Sequence, residues 1–176
     1  PHYLRPVPAM SLLEFTPIPG AITERKRIPA RETEVESREM EGTRCRFRTT
    51  ADVDLYPLQL EQVSMESASS GQSALRLRFA TLPGATLGQA GIERLRLHLV
   101  GEPAYTLYYW LCRYVGKIKL RLLTQGRPAE ELGLPDCKIQ PFGFAKEEAL
   151  LPYPQTAFDG YRLLQEYFAF PQKFLA

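Results

Sequence analysis

The sequence predicts an α+β fold, in which β-rich antiparallel sheets in a sandwich-like arrangement carry two or three packed amphipathic helices. Three observations lead there. Leu75, Leu77 and Phe79 alternate with Arg76 and Arg78; Leu95, Leu97 and Leu99 with Arg94, Arg96 and His98; Ile118, Leu120 and Leu122 with Lys117, Lys119 and Arg121. That is the period of strands covered on one face only. Between the last two strands, Pro103 and Gly116 bracket Ala104, Leu107, Tyr108, Leu111 and Val115 at helical spacing, with proline at the start and glycine at the end. Near the C-terminus, Gly160, Leu163, Leu164, Tyr167 and Phe168 fall on one face of a second helix. The 176 residues read as a single domain with a lead-in over 1–20, a mainly β part over 21–141 that includes a helix over 103–115, and a helical part over 142–176.

Taken in order, the prolines at 1, 6 and 8 favour an extended entry, and Met10 to Phe15 reads as a short strand broken by Pro17, Pro19 and Gly20. Glu32, Glu34 and Glu36 alternate along one stretch and Arg44, Arg46 and Arg48 along the next, with Gly42 between them. This predicts a hairpin whose acids oppose arginines, while Cys45 and Phe47 take the buried side. Leu58 to Glu66 reads as a further strand, and Ser67 to Gln72 as the loop after it. Residues 124 to 135 read as loop, Cys137 to Gln140 as a short strand and Ala145 to Leu150 as a short helix.

The C-terminal helix is dense in aromatics, and its expected bed is the upstream strands. Its greasy face is expected to pack inward, leaving Arg162, Gln165 and Glu166 outward, with Arg162 and Glu166 one turn apart. Its start is open between Asp159 as N-cap and Thr156 as N-cap with Asp159 at N3. Pro171 supplies the stop.

Composition excludes several function classes. Net charge is +2 and no apolar run reaches the length of a membrane-spanning helix. Cys45, Cys112 and Cys137 lack paired spacing and the histidines are His2 and His98, so neither a zinc site nor a disulfide framework is indicated. The cysteines are expected to be reduced and packed as small hydrophobes. There is no nucleophile elbow, no P-loop and no glycine-rich dinucleotide fingerprint. Glu130-Glu131 and Glu147-Glu148 are sequence neighbours, a spacing that does not place two carboxylates face to face on a helix. The basic alternations suggest one patch of Arg76, Arg78, Arg94, Arg96, Lys117, Lys119 and Arg121 for an acidic partner, without the outward aromatics on which nucleic-acid bases stack.

Three stretches carry a family resemblance. Leu151-Pro-Tyr-Pro with Phe158-x-Gly-Tyr-Arg-Leu-Leu-Gln-Glu-Tyr-Phe-x-Phe-Pro-x-Lys-Phe174, the entry Pro1-His-Tyr-Leu-Arg-Pro-Val-Pro-Ala-Met10, and Cys45-Arg-Phe-Arg-Thr-Thr-Ala-Asp-Val-Asp-Leu-Tyr-Pro57 resemble the TssF (VasA, ImpG) family of type VI secretion baseplate subunits. One departure is that Ala30-Arg31-Glu32 follows Ile28-Pro29, where the resemblance leads us to expect a glycine-containing turn. The resemblance implies the middle of a longer, non-catalytic subunit of a phage-like wedge, in the bacterial cytoplasm and docked at the inner-membrane complex. It implies assembly with TssG, TssK, TssE and a second TssF copy, with the spike hub as a further candidate contact. No cofactor, nucleic acid or direct membrane insertion follows from it. The expected protein interface comprises Tyr161, Arg162, Tyr167 and Phe170 on the C-terminal helix and Arg76, Arg78, Arg94, Arg96 and Lys119 on the basic faces. The alternative is a carbohydrate- or phosphate-binding module, or a hydrolase built on dispersed carboxylates.

Overall fold

The computed structural model describes residues 6–67, 71–154 and 158–176. They fall into two compact units, Ser11–Leu95 and Arg96–Ala176 with the described residues up to Met10. The α+β class holds, and among the described residues the strands pair two by two in four antiparallel sheets, a pairing that does not by itself make a sandwich.

In the first of these units, β1 (Lys26–Ile28) pairs with β4 (Val53–Leu55), and β2 (Glu34–Glu36) with β3 (Arg46–Arg48). Glu34 lies opposite Arg48 and Glu36 opposite Arg46, so the acid-against-arginine hairpin is as expected. Arg46 reaches Glu36 at 3.3 Å, Arg48 pairs with Glu34, and that contact holds the Glu34 carboxyl below its usual range. Cys45 is exposed rather than packed, because strand β3 begins one residue later; Val35 and Phe47 meet on the half-buried side. After Pro29 the chain turns through Arg31 at φ 64, so a left-handed residue stands in the turn without being glycine.

The long strands β5 (Leu58–Ser67) and β6 (Ser73–Thr81) form a hairpin with a bulge between Leu60 and Gln62. Leu60 opposes Phe79, Val63 opposes Leu77 and Met65 opposes Leu75, which collects six apolar side chains on one side. Leu60, Val63 and Met65 remain exposed. On the other side Arg76 pairs with Glu66 at 2.6 Å and Arg78 with Glu61 at 3.2 Å. Tyr56, Pro57 and Leu82 are buried at the hairpin base, where the Tyr56 hydroxyl donates to the Arg94 carbonyl at 2.8 Å. The short helix α1 (Leu87–Ala90) follows, capped by the Thr86 side chain and ended by Gly91 in the left-handed region.

Residues 95–99 are not a strand, which corrects the three-strand expectation. Instead the Leu99 amide donates to the Leu175 carbonyl at 2.8 Å, so this stretch meets the C-terminal end rather than a ladder. Helix α2 (Ala104–Arg113) begins after Pro103, which occupies the N-cap rather than the first helical position. Ala104 is buried and Leu107, Tyr108 and Leu111 half-buried as the stripe predicts, while Val115 lies beyond the helix and is exposed. Strand β7 (Lys119–Leu122) pairs with β8 (Glu130–Gly133), a strand inside the stretch read as loop. Residues 10–15 and 137–140 form no strand, and the expected helix over 145–150 is a single 3-10 turn at Lys146–Glu148. Helix α3 (Asp159–Ala169) and a 3-10 turn at Pro171–Leu175 close the chain.

Candidate interface on the C-terminal helix

The α3 helix starts with Phe158 at the N-cap position and no side-chain cap, so Asp159 is the first helical residue rather than the cap; the Thr156 alternative lies outside the described residues. Its exit is satisfied by the Phe170 amide donating to the Glu166 carbonyl at 2.8 Å, and Pro171 then opens the 3-10 turn.

The helix faces the opposite way from the apolar expectation. Arg162 is 3% exposed, Glu166 0% and Lys173 4%, whereas Phe168 is 81% exposed and Leu164 57%. Glu166 is the centre of the buried side. Its carboxylate accepts from Arg162 Nη1 at 3.3 Å, from the Lys173 ammonium, and from the Leu150 amide at 2.9 Å. Arg162 Nη2 donates to the Phe144 carbonyl at 3.0 Å, while its buried Nε finds no hydrogen-bond partner among the described residues. Nearby, Glu148 accepts from the amides of Gly143 at 2.7 Å and Ala145 at 3.1 Å. Desolvation holds the Lys173 ammonium below its ordinary value, outweighing the hydrogen bond and charge of Glu166.

Charge satisfaction explains the inversion. Buried charges need fixed partners: the 143–151 loop supplies the Phe144 carbonyl for Arg162 and the Leu150 amide for Glu166, and the C-terminal turn brings the Lys173 ammonium to the same carboxylate. Periodicity alone registers which residues share a face, not which face the remaining chain can satisfy.

The outward side is an aromatic ridge. Phe158 and Tyr161 meet edge to face at 5.7 Å, and so do Tyr167 and Phe168. Beside it lies an apolar groove of ≈ 330 Å³ walled by residues of α2, α3 and the C-terminal turn, including Tyr105, Tyr108, Leu163, Tyr167 and Phe174. Burial first, and then the Cys112 thiol one turn along, push the Tyr108 phenol up to about 12.

The sequence-chosen residues divide accordingly. Tyr161 and Tyr167 stand on the ridge, Phe170 is half-buried at the helix exit, and Arg162 is internal rather than a surface residue. Arg76, Arg78, Arg94, Arg96 and Lys119 are exposed, but no one sheet gathers them among the described residues: Arg76 and Arg78 lie on β6, Lys119 on β7, and Arg94 and Arg96 outside the strands. Arg76 and Arg78 are neutralised by glutamates on their own hairpin, Lys119 pairs with Glu131, and Arg96 stacks 3.9 Å above the Phe142 ring. Glu148, Phe144 and Lys173 were missed: none has a periodic partner, and their roles depend on the 143–151 loop meeting the last turn. Among the described residues no cluster of metal-ligating side chains occurs and no helix is long and apolar enough to cross a membrane.

The model of the type VI secretion system TssF family matches residues 1–175. The chain belongs to the TssF family. A type VI secretion system component TssF1 of Pseudomonas aeruginosa is 32% identical over 195 residues, covering 99% of this chain and 30% of the relative. A chain in a solved type VI TssK-TssF-TssG baseplate subcomplex is 35% identical, with a TM-score of 0.76 over 89% of this chain and 30% of its own length. The chain therefore spans about a third of the length of these TssF-family relatives. The matched span takes in the buried Arg162, Glu166 and Lys173 as well as the exposed aromatics of α3.

Proposed function

We propose that this chain is a non-catalytic scaffold segment of the type VI secretion baseplate wedge, docking on a partner through the aromatic ridge of α3 and the groove beside it. The observation that carries the proposal is the inside-out helix, whose Arg162 and Glu166 are buried while Phe168, Tyr161 and Leu164 stay in water. Contiguous exposed apolar surface of this kind marks protein contact sites, and tyrosine and phenylalanine are enriched at their centres. TssG and TssK, found with the TssF relative in the solved subcomplex, are the first partners in this reading. TssE, a second TssF copy and the spike hub belong to the same proposal, as do the cytoplasmic location and the two units' acting as one domain. The exposed arginines and Lys119 form a secondary, polar contact set.

The groove gives no support to the carbohydrate, phosphate or hydrolase alternative. Its walls are aliphatic and aromatic, without the convergent charged groups that such ligands require. The deciding experiment is capture of TssG by the full-length parent protein carrying Phe168→Glu or Tyr161→Glu. Lost capture with an unchanged thermal melt supports the ridge; retained capture by both variants removes it.

A further inference from the structure

Helix α3 has two competing ways to face its unit. Apolar burial alone would turn Leu164, Tyr167 and Phe168 inward and leave Arg162 and Glu166 as a weak surface pair, since a buried large apolar side chain outweighs an exposed ion pair. The molecule takes the other setting. We infer that the buried Arg162, Glu166 and Lys173 cluster is a rotational latch, which fixes α3 with its charged edge inward so that Tyr161, Leu164 and Phe168 are displayed. The latch rests on reading the ridge as a docking surface.

The geometry gives the latch its grip. Glu166 gathers a residue of its own helix, the ammonium of the following 3-10 turn and the amide of Leu150, while Arg162 reaches back to the Phe144 carbonyl. Rolling the helix would break the contacts to Leu150, Phe144 and Lys173 together and leave the Lys173 ammonium without its carboxylate. Energy is a poor reason for building such a cluster. Replacing a buried ion triad by apolar residues of similar size is often neutral or stabilising, whereas removing one member is harmful. The unpartnered Arg162 Nε shows that hydrogen bonding here is not fully satisfied. Orientation is what the charges supply and leucines would not, because apolar contacts carry no direction.

Hydroxyl-radical footprinting, read by mass spectrometry at Tyr161, Leu164 and Phe168, tests this with the combined variant Arg162→Met, Glu166→Leu, Lys173→Met. The expected outcome is a folded chain with a melting temperature at or above wild type and severalfold lower oxidation of Leu164 and Phe168. Glu166→Gln is the second variant; it keeps the shape but has one acceptor oxygen where donors reach both carboxylate oxygens, so its amide N–H groups meet either the Leu150 amide or the donors of Arg162 and Lys173, and it shifts the footprint in the same direction. A wild-type footprint in both variants overturns the latch, and so does loss of folding in the combined variant. TssG capture by the full-length parent separates the two readings: an altered footprint with retained capture keeps the latch and rejects the ridge as the docking site.

Discussion

Arg31, Gly143 and Lys173 each carry a local conflict with a measurable consequence. Arg31 holds φ 64, where a Cβ crowds the backbone, so Arg31→Gly is expected to stabilise by about 0.5–1 kcal/mol after the extra chain entropy of glycine is counted. Urea unfolding of the two proteins checks this. Gly143 is the reverse case: it sits at φ 104, and an added Cβ would stand 3.1 Å from both Lys173 Cε and the Phe174 ring. Gly143→Ala should therefore destabilise by about 2 kcal/mol, through strain and through displacement of the turn that carries Lys173. Lys173 adds a pH dependence. Its ammonium titrates below the ordinary lysine value, so in the window between its folded and unfolded pKa the unfolded chain binds more protons. Stability from this residue rises as pH increases through that window. Urea melts of wild type and Lys173→Met, compared from neutral pH to about pH 10, should show that rise in the wild type only.

At the scale of elements, periodicity located the pieces but not their partners. The β2–β3 hairpin was legible to the register, because opposed acids and arginines specify one pairing. Helices α2 and α3 were legible from their apolar spacing and from Pro103 and Pro171. The basic alternations at 75–79 and 119–122 are strands, but each pairs within its own hairpin, and 95–99 forms none because its Leu99 amide is taken by the C-terminal turn. Local alternation encodes a two-sided strand without saying what covers either side. The orientation of α3 was unreadable for a related reason: Arg162 and Glu166 at i and i+4 look like a surface pair until Lys173 and the 143–151 loop enclose them. Within this enclosure, Glu166→Ala leaves two buried cations without their carboxylate, and a loss of about 3–5 kcal/mol is expected in chemical denaturation. An effect below about 0.5 kcal/mol, the size of a surface substitution, would contradict the buried assignment.

For the chain as a whole, the balance of charge and exposed apolar surface sets how it behaves without partners. A net charge of +2 gives weak mutual repulsion, while the ridge of α3 and the Leu60, Val63 and Met65 side of the long hairpin both stand in water. Near-neutral proteins with open apolar patches associate. The isolated chain is therefore expected to self-associate with rising concentration in sedimentation velocity. Val63→Lys and Phe168→Glu should each reduce association while changing stability by less than about 0.5 kcal/mol, because neither side chain contributes to the buried residues of its unit. The two substitutions also separate the surfaces. If Phe168→Glu alone abolishes association, the ridge is the adhesive surface and the hairpin side is passive. If Val63→Lys alone does so, the open hairpin face drives contact, and the ridge must act only on a partner whose shape matches it. Parallel loss of stability in either variant would place that side chain in a packed environment and contradict its exposure.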